Sequence, residues 1–127
     1  MIVVDASAAL TALLNDGPAR RLIATEYLHA PHLVDSELAS GLRRRVLAKQ
    51  VSADDGWRAL DTWRHLAVSR YAVHGVLDRV WELRDNVSAY DASYVALAER
   101  LDCALVTADA RLSNAPGIYC PVTVVPR

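Results

Sequence analysis

Two stretches of the chain share one pattern, an apolar run that gives way to aspartate and then alanine: Val3-Val4-Asp5-Ala6 and Val106-Thr107-Ala108-Asp109-Ala110. In open α/β sheets, ligands bind just beyond the carboxyl ends of the strands, so Asp5 and Asp109 reach a common site if their strands are parallel neighbours. Asp91 falls in the first turn of a helix leading to the Asp109 strand. Glu37 falls in the first turns of another helix, beside the core row of Leu38 rather than in it. Each acid alone has an ordinary local role: aspartate after a strand caps the next helix, Asp91 completes a capping box, and glutamate near a helix start favours the dipole. Gathered together they repel, which raises their pKa values and destabilises the fold unless a hard divalent cation sits among them. The expected chemistry of Asp5, Glu37, Asp91 and Asp109 is therefore binding of Mg²⁺ or Mn²⁺.

Other chemistries find little support. His29 and His32 flank Pro31 and there is no cysteine pair, which argues against zinc. The five glycines are scattered singly, so no phosphate-cradling loop exists. Ser7, Ser88 and Thr107 have no histidine base at a recognised spacing. Formal net charge is -1, and any nucleic-acid contact must come from a local patch. Every basic residue except Lys49 is arginine, whose planar guanidinium suits phosphate, and Arg43-Arg44-Arg45 is the densest run. Cys103 and Cys120 both lie in apolar stretches and read as reduced core residues.

The elements that must position the acids fit one domain, residues 1–127. Hydrophobic residues make up 53% of the chain, yet no apolar run approaches the roughly 20 residues needed to cross a bilayer. The N-terminus lacks the features of a signal peptide, and a soluble cytoplasmic protein is expected. Ile2 to Val4 reads as a buried strand, followed by a helix from Ala8 to Leu14 that Asn15-Asp16-Gly17-Pro18 ends. A helix from Pro18 to about Tyr27 comes next. Leu28-His29-Ala30-Pro31 reads as a lead-in to a helix with Leu38, Leu42 and Val46 on its core row. Ser52-Ala53-Asp54-Asp55 opens a helix striped by Trp57, Leu60 and Trp63 and running to Leu66. A strand is expected from Val68 to Val73 and a helix from Val76 to about Asn86. Ser88-Ala89-Tyr90-Asp91 caps a helix whose apolar face is Tyr94, Val95, Leu97, Ala98 and Leu101. Strands from Cys103 to Val106 and from Ile118 to Val125, with a Pro116-Gly117 turn between them, complete the chain. Alternating short strands and helices imply an α/β fold with a mostly parallel sheet covered on both faces.

Over nearly its whole length the chain resembles the PIN-domain nucleases, and among them the VapC-type toxins of bacterial toxin–antitoxin pairs. The resemblance rests on Ile2-Val3-Val4-Asp5-Ala6-Ser7-Ala8, on Glu37 after Pro31-His32-Leu33-Val34, on Tyr90-Asp91-Ala92 before Tyr94-Val95-Ala96-Leu97-Ala98, and on Leu105-Val106-Thr107-Ala108-Asp109. It implies a PIN-like three-layer domain in which Asp5, Glu37, Asp91 and Asp109 bind one or two Mg²⁺ or Mn²⁺ ions. Ser7 and Thr107 match the family's hydroxyls near the first and fourth acids and would orient an acid or a bound water. Asp35, two residues before Glu37, competes for the second position, while the Ala39-Ser40-Gly41 stretch that permits close approach favours Glu37. The implied reaction is metal-assisted attack of water on an RNA phosphodiester, leaving 5′-phosphate and 3′-hydroxyl ends. Arg43, Arg44 and Arg45 are the expected RNA-backbone contacts. The implied partners are an RNA substrate, a cognate antitoxin lying across apolar grooves and a second copy of the chain. A phosphoryl-receiver domain and a PIN-like fold kept as a non-catalytic RNA- or protein-binding module are the competing readings.

Overall fold

Three consecutive β-branched residues form the first strand, β1 (Ile2–Val4), and all three are buried. It becomes the centre of the sheet because each of its edges finds a partner. β2 (Leu28–Pro31), β3 (Val68–Tyr71), β4 (Ala104–Thr107) and β5 (Val122–Val124) complete a five-stranded sheet ordered β3-β2-β1-β4-β5. Every pairing is parallel, with Ile2 opposite both Leu28 and Ala104. The computed structural model describes residues 1–127, and the sheet is wholly rather than mostly parallel. A receiver domain orders its strands 2-1-3-4-5, so that competing reading falls.

The chain builds outward from β1 to β3, then crosses back over β1 to β4 and β5. Right-handed crossovers put the helices of the first half on one face and those of the second half on the other. The first layer holds α1 (Ala6–Leu14), α2 (Pro18–Thr25), α3 (Leu33–Leu47) and α4 (Ala53–His65), which pack on one another. The second holds α5 (Leu77–Glu82) and α6 (Ala89–Leu101), with α6 lying across β1, β2 and β4. The direction of winding reverses between β1 and β4, which makes the gap between them the topological switch point.

Several elements depart from the sequence reading, each for a local reason. Leu28 to Pro31 is a strand and not a helix lead-in. Pro31 lacks an N–H but sits at the strand's last position, and His29 is satisfied by the Tyr71 hydroxyl at 2.7 Å. The last strand shrinks to Val122–Val124, because Pro121 cannot donate to the ladder and the Tyr119 N–H is taken by Glu99 at 2.8 Å. The helix expected from Val76 becomes a 3₁₀ turn over Val73–Val76 and the short α5. The Pro116-Gly117 turn holds, with Gly117 at φ 80, a value that favours glycine. Both cysteines are free. Of the expected apolar stripe on α4, Trp63 is buried, whereas Trp57 stands out into solvent.

Gly41 shows what the close approach of α3 to α1 requires. It is buried, and a Cβ there would meet Leu10 Cδ2 at 3.1 Å. A Gly41→Leu variant overfills this contact and lowers stability by about 1–3 kcal/mol, read as a lower urea midpoint.

Candidate active site

Asp5 leaves β1 with extended backbone and caps α1, its Oδ1 accepting from the Ala8 N–H at 2.9 Å and from the Ser7 hydroxyl at 2.7 Å. The capping role and the site role thus fall on one side chain. Ser7 also accepts from the Ala108 N–H at 2.9 Å and lies 3.2 Å from the Thr107 hydroxyl, which in turn accepts from the Asp109 N–H at 3.0 Å. This hydroxyl bridge joins the carboxyl ends of β1 and β4 across the switch point. Asp91 enters from the first turn of α6, where Ser88 Oγ accepts its N–H at 3.1 Å. Glu37 enters from α3, and the buried Tyr94 donates its hydroxyl to Oε1 at 2.6 Å.

Asp5, Glu37, Asp91 and Asp109 line one cavity of about 330 Å³, together with Ser7, Arg44, Arg45, Tyr94 and Arg127. The structure therefore brings the four sequence-expected acids together. Asp35 lies elsewhere: its carboxylate takes a two-pronged pair from Arg70 at 2.7 and 2.9 Å and the Trp63 indole N–H at 2.8 Å. That ion pair holds its pKa below the usual carboxylate range. Asp35 staples α3 to α4 and β3, which leaves Glu37 as the acid that this helix sends to the cavity.

The electrostatics of the cluster are those of crowded anions. Burial pushes the Asp5 carboxyl up, against the lowering effects of Thr107, Ala8 and Ser7, and Asp91 pushes it further. Burial also raises Glu37, opposed by the Tyr94 hydrogen bond and reinforced by Asp91 and Asp5. Asp91 is raised by burial and by Asp109. Asp109 alone goes down, because the Arg111 guanidinium grips it at 2.8 and 3.0 Å. The four acids line one cavity without any three of them closing into a ligand cage, and Asp109 is turned to Arg111. Arg111 is 90% exposed, so solvent screens this pair and its release costs little. An all-oxygen donor set with three carboxyls raised by burial and mutual repulsion fits a hard divalent cation.

Arg44 and Arg45 border the cavity, but Arg43 faces away into an apolar groove between α3 and α4 lined by Leu42, Val46, Leu47, Trp57 and Leu60. The arginine run is thus divided between two surfaces. Sequence reasoning missed three cavity neighbours. Tyr94 reads from the sequence as part of the apolar face of α6, although its spacing of three from Asp91 puts both on one side of the helix. Arg111 sits two residues after Asp109. Arg127, whose Nε donates to the Ala108 carbonyl at 3.2 Å, carried no local signal.

The PIN-domain model matches residues 2–118 of the chain. This chain belongs to the PIN-domain family. Among its relatives, "Ribonuclease VapC9" of Mycobacterium tuberculosis is 69% identical over the full length of both chains. "Ribonuclease VapC1" of the same species is 42% identical over 97% of this chain and 96% of its own. The solved structure of VapBC2 from Rickettsia felis, bound to a DNA fragment from their promoter, is 15% identical. It matches with a TM-score of 0.68 over 98% of this chain and 99% of that one, which shows a common fold. No helix of the PIN domain is long and apolar enough to cross a membrane.

The raised Asp5 pKa sets a sign for stability. A carboxyl whose folded pKa lies above its unfolded value favours folding most below the unfolded pKa, and that contribution is lost as pH rises through the folded value. In EDTA near neutral pH, Asp5→Asn is therefore expected to melt higher than wild type by a few degrees. The gap should close on acidification, as the wild-type carboxyl takes up its proton, and thermal melts across acid and neutral pH check this.

Proposed function

We propose that this chain is a Mg²⁺- or Mn²⁺-dependent endoribonuclease, the toxin of a toxin–antitoxin pair, which hydrolyses RNA phosphodiesters at the cavity of Asp5, Glu37, Asp91 and Asp109. The observation that carries the reading is the meeting of these four acids in one cavity at the switch point, with arginines on its rim. Relatives named as VapC ribonucleases, alike over the whole chain, support the toxin endoribonuclease assignment.

Asp5, Glu37, Asp91 and Asp109 would hold a divalent ion, which when bound would lower the pKa of a water and offset charge on the phosphoryl oxygens. The protein's part is to hold the acids in place. Asp5 is fixed by its cap bond and by Ser7, Ser7 is tied to Thr107 and Ala108, and Asp109 is free to leave its exposed arginine. Arg44 and Arg45 supply phosphate contacts beside the acids, while Arg43 serves a separate surface. No histidine lines the cavity, in keeping with attack by water and not by the RNA's own 2′-hydroxyl. Products with 5′-phosphate and 3′-hydroxyl ends follow from that route.

The apolar groove between α3 and α4, with Leu47 and Trp57 exposed at its edge, suits a helical antitoxin segment laid in as a helix in a groove. An antitoxin arginine reaching the acids would complement their charge. The working unit is a homodimer, acting in the cytoplasm on RNA.

Cleavage of labelled structured RNAs by antitoxin-free protein, with Mg²⁺, Mn²⁺ or EDTA, tests this reading. Asp91→Asn is expected to cut roughly a hundred- to a thousand-fold more slowly. Asp35→Asn is expected to keep cleavage while losing about 1 kcal/mol of stability, since only a partly exposed ion pair is weakened. Wild type and Asp91→Asn equally inert on every RNA, both folded and binding Mn²⁺ equally, would replace the nuclease with a non-catalytic binding module.

A further inference from the structure

Tyr94 places a phenol where a phenylalanine would fill the same core. The side chain is 2% exposed, in an α6 segment buried from Ala92 to Ala98. A buried hydroxyl needs a partner, and this one finds Glu37 Oε1 at 2.6 Å. That hydroxyl therefore ties α6 to α3. Glu37 is otherwise loosely held. Asp5 and Asp91 repel it, and Arg44, two turns further along α3 and bordering the same cavity, attracts it.

We propose that Tyr94 is a positioning residue whose hydroxyl pins Glu37 Oε1, holding the carboxylate among the acids and away from Arg44 so that its second oxygen is offered to the divalent cation. This rests on the reading of Glu37 as a metal ligand. The hydrogen bond removes the rotamer freedom that the cation would otherwise have to freeze out, and it takes up one of the two carboxylate oxygens. Partners that orient a ligand in this way typically alter metal affinity by about 10- to 100-fold.

The test measures Mn²⁺ affinity by calorimetry and RNA cleavage for wild type, Tyr94→Phe, Glu37→Gln and the double variant. Tyr94→Phe is expected to weaken Mn²⁺ binding by about 10- to 100-fold with its circular dichroism unchanged. In the Glu37→Gln background the same substitution is expected to change Mn²⁺ affinity no further, because the phenol acts through the carboxylate. Wild-type affinity in Tyr94→Phe, or an equal loss in both backgrounds, overturns the proposal. If Tyr94→Phe does not fold, Glu37→Asp reads the same effect by withdrawing the carboxylate from the phenol while keeping its charge, and unchanged affinity there overturns it. Failure of the wild type itself to bind Mn²⁺ or cut RNA would defeat the nuclease reading first, a result distinct from these.

Discussion

Like charges gathered at one end of a sheet repel, and the architecture of this domain follows from having to hold them there. Asp5 and Asp109 come together because β1 and β4 are parallel neighbours, with Val4 opposite Val106, so both chains leave the sheet at the same level. The fully buried β1 makes this possible. It is paired along both edges and cannot slide without exposing Val3 and Val4, both 0% exposed. The bridge of Ser7 and Thr107 then ties the two strand ends to each other, so that repulsion is carried by the frame rather than relieved by movement.

Burial and repulsion together account for the raised Asp5, Glu37 and Asp91 carboxyls, and the partners of each acid divide the cluster into two kinds of site. Asp5 and Glu37 are held by neutral donors, backbone N–H and hydroxyls, which orient a carboxylate without cancelling its charge. Asp109 is held by Arg111, an exposed counter-charge that solvent screens. The same distinction separates Glu37 from Asp35, which sit two residues apart on α3. Asp35 is neutralised by Arg70 and serves packing, whereas Glu37 has no ion-pair partner and faces the cavity.

Much of this was legible in the sequence because it depends on local pattern. The β-branched run before Asp5, the caps at Ser52 and Ser88 and the turn at Gly117 are determined by a few adjacent residues, and each was found where expected. The strand at Leu28 to Pro31 was not legible, because His29 and Pro31 break its pattern and only β1, β3 and Tyr71 make it a strand. The shortened β5 likewise answers to Pro121 and to Glu99, a residue distant in sequence.

By itself, then, the sequence determined which acids stand at strand ends and helix starts, since those positions follow from periodicity and capping chemistry over a few residues. Only the tertiary structure decided which of them share a cavity. It also decided that Asp35 belongs to a packing ion pair, that Arg43 parts company with Arg44 and Arg45, and that Tyr94 turns from core residue to partner of Glu37. These are contacts between side chains from different elements. Their geometry depends on how α3, α6 and the strand ends pack together, and no local pattern encodes that.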